Sequence, residues 1–545
     1  MRSSFVKNAA ILTVTSLLLR FLGMLFRIYM SNAVGAEGMG VYQLILSVYL
    51  LVSTLSTCGI STAVTRLVTE ELVRGSRASL RRLMRFAILL SIGIGTLSLI
   101  GVTAAAEPIA RFFLRDIRAV PALRILGIGL PFMGTSACLK GYFLARRRVS
   151  GSSAAQILEQ LCRIGCIWLL LSRFAQGDIA RCCACILIGD TAAEIASCLF
   201  MAGCYGQDRR RQRKFLPSSS PHRPLLRPFA AIAAPLTAGR TLTTLLHTAE
   251  NLLVPQRLTL YTGSREQSLA SFGTLKGMAL PLLFFPSSLL TAFSTLLIPE
   301  MSEAQSRGQT ARMQSVVSRT LQLTLWASTG FATVFAVLAF PIGRLLYRSD
   351  EVGMFLTVLS PLVPAMYTES TADGLLKGLG RQTATLRFCV VDSAVRILLT
   401  VILLPHFGMA GFLFVMLLSN LLSCFLNLRH LLAVTGVRFC LWRWLLGPAL
   451  SAALTASVFT VLLTRGGVVQ TENYLTAALL AIALLAAYIL LTFCLGCIRK
   501  TDLFPGVRPR RTAVPAAALP TEPNDPPTGR IGTALPPLTA FTENS

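Results

Sequence analysis

At 545 residues, 53% hydrophobic and 14% charged, with a mean hydropathy of +0.64, the chain is too apolar for a soluble globule and too long for a single-span receptor. Its net charge of +27 would suggest nucleic acid in a soluble protein. Most of its Lys and Arg fall in short loops between apolar runs, however, so the charge encodes membrane topology and no nucleic-acid partner is expected.

The first apolar run, Ala9 to Met30, has about a membrane's thickness and holds Arg20 and Arg27 within it. A guanidinium at bilayer depth costs roughly 2.5 to 3.5 kcal/mol on insertion scales, so it faces a bundle interior or a wet cavity where an anion offsets it. Seven residues apart, the two arginines share a helix face, which reads as the wall of a cavity for an anionic substrate. The blander reading has Arg27 snorkelling to a headgroup and Arg20 pairing with an acid on a neighbouring helix.

Further spans are predicted at 41–64, 86–106, 122–144, 153–172, 182–204, 229–253, 269–298, 316–340, 352–375, 384–404, 409–428, 442–463 and 474–498, about fourteen in all. Arg66 stands at the end of the second, where snorkelling explains it and where an entering phosphate would also meet it. Cys182, Cys183 and Cys185 open the sixth and read as small hydrophobes, with no His or second Cys pair at metal-site spacing. Basic loops at Arg74 to Arg85, Arg146 to Arg148, Arg209 to Lys214 and Arg429 to Arg443, and the tail opening at Arg499, alternate with sparse ones at 31–40 and 405–408. Both termini are therefore expected in the cytoplasm, with the chain a multi-pass protein of the cell membrane. The expected division is an N-terminal lobe at 1–204, a basic connector at 205–227, a C-terminal lobe at 228–430, two further spans at 431–500, and a Pro- and Thr-rich cytoplasmic tail at 501–545 that cannot bury a core.

One offset, 233, superimposes the two halves. Ser61 and Thr62 fall on Ser294 and Thr295; Glu70, Arg74 and Gly75 on Glu303, Arg307 and Gly308; Pro131, Gly141 and Arg148 on Pro364, Gly374 and Arg381; and Glu159 and Arg163 on Asp392 and Arg396. An offset of six spans keeps the halves in one orientation. The expected fold is all-α and polytopic, with two six-helix lobes related by a parallel repeat around a central cavity, plus two C-terminal helices.

Several charges lie inside the spans. Glu159 with Arg163, and Asp392 with Arg396, sit at i,i+4, where they neutralise each other or leave one member, such as Arg163, to meet substrate. Lys276 near the start of the eighth span and Arg240 in the seventh could extend the basic face of Arg20 and Arg27. Glu250 and Asp392 could share a coupling cation or proton. Asp190 with Glu194, and Glu369 with Asp373, are like-charged pairs that need a cation, a proton or water. No Walker A stretch, His-rich zinc pattern or GxSxG elbow is present, so no enzymatic site and no catalytic residue is expected.

Three stretches carry a family resemblance: Arg20-Phe-Leu-Gly-Met-Leu-Phe-Arg27 followed by Val34-Gly-Ala-Glu-Gly-Met-Gly-Val-Tyr-Gln-Leu44 and Gly59-Ile-Ser-Thr-Ala-Val-Thr-Arg66; Gln156-Ile-Leu-Glu-Gln-Leu-Cys-Arg163; and Ser294-Thr-Leu-Leu-Ile-Pro-Glu-Met-Ser-Glu303. They resemble polysaccharide-biosynthesis flippases of the multidrug/oligosaccharidyl-lipid/polysaccharide exporter superfamily, closest to the stage V sporulation protein B branch and its lipid II flippase relatives. The resemblance implies a two-lobed fold around a cationic cavity and transport of an undecaprenyl-pyrophosphate-linked saccharide for peptidoglycan or polysaccharide assembly. It implies that Arg20 and Arg27 meet the pyrophosphate, and that Glu250 and Asp392 lie near where relatives bind sodium. No other cofactor is expected. The partners would be the lipid-linked oligosaccharide, membrane lipid and cell-wall synthesis proteins. The rival readings are a cation-coupled multidrug exporter of the same superfamily and a non-transporting scaffold for cell-wall synthases.

Overall fold

In a computed structural model of the chain, residues 2–57, 59–74, 77–174, 178–211, 225–287, 290, 307, 309–465 and 473–498 are described. The expected tail at 501–545 and the repeat partners Gly75, Ser294, Thr295, Glu303 and Gly308 lie outside them.

Eleven helical stretches among the described residues are long and apolar enough to cross a membrane. Two of them are double. Helix α1, Arg2–Thr57, has 56 residues; straight, it would run about 84 Å, against a hydrocarbon core of about 30 Å. Gly35, at φ 77° and ψ 175°, breaks it into two membrane-length pieces in a conformation that only glycine adopts easily. Gly408, at φ 58° and ψ −138°, divides the 54-residue helix Gln382–Thr435 in the same way. The eighth expected span is not one regular helix: Arg265–Phe272 passes into a π-helix, Gly273–Ala279, and then a short helix, Leu280–Phe284.

In chain order the first half continues with α2 (Ile60–Arg74), α3 (Arg77–Pro108), α4 (Val120–Ala145), α5 (Val149–Phe174) and α6 (Ile179–Arg211). The second half runs through α7 (Leu226–Thr262), the broken span, Thr310–Val337, Ala339–Tyr347, Asp350–Leu359, Val363–Gly378 and Gln382–Thr435, and the chain adds Gly447–Arg465 and Tyr474–Cys494. Two details differ from the sequence reading. The second span is interrupted at Gly59, whose φ of 77° ends one helix while its carbonyl starts the next by accepting from Ala63 N–H. The connector expected at 205–227 is helical as far as Arg211, because α6 carries its hydrogen-bond ladder past the end of its apolar run.

The repeat is visible in the packing. Met84, Leu139, Tyr142 and Phe143 are buried in one cluster of the first half, and their partners at the 233 offset, Val317, Ala372, Leu375 and Leu376, are buried in one cluster of the second. The largest apolar cluster joins the halves, from Met39 and Ile45 through Phe272 and Leu275 to Phe355 and Phe412. Glycine makes that junction possible: a Cβ on Gly40 would collide with the Leu269 carbonyl, and one on Gly273 with the Ala36 carbonyl. The halves are also tied at this end by Gln256 Nε2, which donates to the Phe113 carbonyl at 2.9 Å, and by Arg265, which donates to the Leu114 carbonyl. Elsewhere large apolar side chains such as Leu97, Leu398 and Ile482 point outward, as lipid-facing helices require.

Candidate functional site at the junction of the halves

The π-helix Gly273–Ala279 sets the geometry. In an α-helix the Gly277 carbonyl would accept from the N–H of residue 281, but residue 281 is proline and has none. Arg27 takes the vacant place: its Nε donates to the Gly277 carbonyl oxygen at 3.0 Å, joining the first span to the eighth. Among the described residues no carboxylate lies within ion-pair distance of Arg27. Its charge is therefore met by a carbonyl dipole rather than by an opposite charge.

One residue away, Lys276 Nζ lies 3.4 Å from Glu250 Oε1. Glu250 is buried in α7 and also faces Arg396 Nη1 at 3.4 Å and His247 Nδ1 at 3.8 Å. Arg396 Nη2 in turn reaches Asp392 at 2.9 Å, its Nε donates to Ser419 Oγ at 2.8 Å, and Ser419 donates to Asp392. Arg396 thus bridges the two acids expected to share a cation, occupying the space between them. Among the described residues no group of three His, Cys, Asp or Glu side chains converges as a metal-binding set. Glu250 and Asp392 are therefore joined in a network of ion pairs through Arg396. Close by, Thr248 Oγ1 donates to the Ser47 carbonyl at 3.1 Å and Asn251 Nδ2 to Ser47 Oγ at 2.9 Å, fixing α7 against the first half.

The first half holds a counterpart. Arg163 Nε contacts Asp190 at 2.8 Å, and its Nη2 lies 3.2 Å from Glu159 and 3.9 Å from Glu194. Lys140 stands 3.5 Å from Glu159. The like-charged pair Asp190 and Glu194 is thus balanced by Arg163. The second such pair is separated instead: Asp373 pairs with Lys377 at 2.5 Å, while Glu369 accepts from Ser423 Oγ at 3.3 Å.

Of the residues singled out in the sequence, Arg27, Lys276, Glu250, Asp392 and Arg396 come together. Arg163 lies in its own acid-rich cluster. Arg20 and Arg240 are exposed, and Arg66 is exposed and paired with Glu70 at 3.3 Å. Lys140, His247 and the Gly277 carbonyl escaped the sequence reading. Lys140 was visible as a lone base inside the fourth span, and Pro281 four residues after Gly277 was the available sign of an orphaned carbonyl.

The second half also contains an apolar pocket of about 610 Å³ among Thr310–Val337, Val363–Gly378, Gln382–Thr435 and Gly447–Arg465. Ala449, Ala452, Ala453 and Ala456 leave room on one side, opposite Thr329, Thr333 and Pro364.

Stage V sporulation protein B of Bacillus subtilis is 24% identical over 417 residues, 75% of this chain and 80% of that protein. Lipid II flippase MurJ of Bacillus subtilis is 21% identical over 427 residues, 74% of this chain and 77% of that one. A solved structure of lipid II flippase MurJ in an inward closed conformation superimposes with a TM-score of 0.64 at 16% identity, over 88% of this chain and 98% of the other, and so shares the fold. The family described as "Polysaccharide biosynthesis protein" matches residues 5–305. This multi-pass membrane chain belongs to the polysaccharide biosynthesis protein family.

Proposed function

We propose that the protein is a flippase that moves a pyrophosphate-linked saccharide lipid across the cell membrane by alternating access. The observation that carries this reading is the Arg27 guanidinium, held at the junction of the halves by the Gly277 carbonyl and, among the described residues, by no carboxylate. Around it, Lys276 and Arg396 pair with Glu250 and Asp392, so among the described residues the Arg27 charge is the one left without a carboxylate. A buried charge left in this way favours an anionic guest. A pyrophosphate offers the oxygens to replace the carbonyl with charge-assisted hydrogen bonds. The apolar pocket of about 610 Å³ suits a polyprenyl chain.

The substrate class follows the relatives named lipid II flippase and stage V sporulation protein B. In this reading both termini face the cytoplasm, as the loop charges require, and the halves rock about the close crossing at Gly40 and Gly273. The test is flipping of a fluorescent undecaprenyl-pyrophosphate saccharide in proteoliposomes. Wild type should flip it, and Arg27→Ala should slow flipping at least tenfold. Equal rates would remove Arg27 from substrate binding, and no flipping by wild type would favour a scaffold.

A further inference from the structure

The close crossing of the halves is one contact made twice. Gly40 and Gly273 are partners at the 233 offset, and so are the residues whose carbonyls they abut, Ala36 and Leu269. About one helical turn beyond the two glycines, the same offset pairs Gln43 with Lys276. Lys276 faces Glu250 at 3.4 Å. Gln43 has no such partner among the described residues: its Nε2 is buried without an acceptor and lies 3.8 Å from where a Cβ on Gly277 would stand. Gly277 is the residue whose carbonyl holds Arg27.

A second donor of this kind comes from the other half. Tyr347, 5% exposed, ends the helix Ala339–Tyr347 in the apolar cluster that joins the halves. Its Oη is buried without a hydrogen-bond partner among the described residues and stands within electrostatic reach of the Arg27 guanidinium. Asn32 Nδ2, on the first span just after Arg27, donates to the Leu346 carbonyl at 2.8 Å and so holds this helix end against α1. A buried hydroxyl or amide N–H with nothing to bond is costly and uncommon in a folded chain. Two of them stand around an arginine that is itself held by one carbonyl and, among the described residues, by no carboxylate.

We propose that Gln43 Nε2 and Tyr347 Oη bind the same anion as Arg27, so that the three side chains form a cradle for one phosphoryl group of the substrate. The assignment rests on the reading of Arg27 as the anchor of a pyrophosphate. All three side chains offer hydrogens, and an ionised phosphoryl oxygen only accepts, so each can give it a charge-assisted hydrogen bond. Neutral donors suit the position: they strengthen the hold on an anion without adding a further buried charge that would need offsetting before the anion arrives. The cradle also spans the junction. Arg27 and Gln43 belong to the first half and Tyr347 to the second, so the anion is fully held only while the helix end at Leu346 stays against α1, and parting the halves there strips away one donor.

The test is isothermal titration of the full chain in neutral detergent with geranyl pyrophosphate, and with geraniol as the uncharged control. Wild type should bind geranyl pyrophosphate saturably and geraniol at least tenfold more weakly. Tyr347→Phe and Gln43→Met should each weaken geranyl pyrophosphate binding at least fivefold and leave geraniol binding unchanged. Because each change removes an unpartnered buried donor, neither variant should melt below wild type in the absence of ligand. A variant that binds weakly and also melts at a clearly lower temperature would be a packing change, and its residue would leave the cradle. Wild-type affinity in both variants, with Arg27→Met impaired, would overturn the roles of Gln43 and Tyr347 and leave Arg27 as the anchor. No binding of geranyl pyrophosphate by wild type would overturn the cradle and the anchor together. The expected losses in a protein that flips nothing in proteoliposomes would support the cradle and sink the flippase reading alone.

Discussion

Arg163 and Arg396, 233 residues apart, perform one electrostatic task twice: each guanidinium takes the carboxylate four residues before it and a second carboxylate from another helix. The partners differ in kind. Among the described residues Arg163 draws only on acids of its own half, Glu159, Asp190 and Glu194, whereas Arg396 reaches Glu250, which also holds Lys276 beside Arg27. The duplicated arginine pairs within its own half in one case and is part of the junction in the other.

Removing Arg163 should show what its ion pairs contribute. Arg163→Met leaves three carboxylates facing one another with Lys140 alone to balance them. Breaking such a buried set by deleting one member costs roughly 3–5 kcal/mol. The variant should unfold at a clearly lower temperature in detergent, and adding Asp190→Asn should recover part of the loss. A double variant no more stable than the single one would mean that Asp190 is not strained by the missing charge.

Proline 281 controls how firmly Arg27 is held. Pro281→Ala supplies the N–H that closes an α-helical bond to Gly277, so the carbonyl no longer needs the guanidinium. A pyrophosphate then competes with one hydrogen bond fewer. Its affinity should rise about three- to tenfold, the roughly 0.5–1.5 kcal/mol net of such a bond. Isothermal titration with a soluble pyrophosphate-sugar analogue measures this, and unchanged affinity would mean that the Arg27 to Gly277 bond does not oppose binding.

The crossing at Gly40 and Gly273 has no room for a methyl group. Gly273→Ala should cost about 1–3 kcal/mol through overpacking and should loosen the halves where they meet. Lower thermal stability, together with faster labelling of a cysteine placed at Ala36, is the expected pair of results. Normal stability with slow labelling would show that the crossing accommodates the methyl group.

Filling the apolar pocket should separate headgroup recognition from chain recognition. Ala453→Phe occupies space opposite Thr329 and Thr333. Transport of a long polyprenyl substrate should fall severalfold while binding of a short-chain pyrophosphate-sugar analogue is kept. Equal transport of the long substrate by variant and wild type would place the lipid chain elsewhere.

The sequence by itself determined the class of fold and its internal symmetry. Apolar runs of spanning length, loops of one charge and the ungapped 233 offset are local or periodic facts, and burial of Met84 with Tyr142 and of Val317 with Leu375 follows from them. It also showed that Arg27, Glu250, Lys276, Asp392 and Arg396 lie at membrane depth, because a charge inside an apolar run is conspicuous. Which of these residues meet was decided by tertiary structure. Ion pairs between α7, the broken eighth span and Gln382–Thr435 depend on how helices cross, and no spacing along the chain encodes that Arg396 bridges Glu250 and Asp392. The bond from Arg27 to Gly277 shows both halves of the matter. The proline that orphans the carbonyl is written in the sequence, whereas the choice of an arginine 250 residues away to satisfy it exists only once the helices are packed.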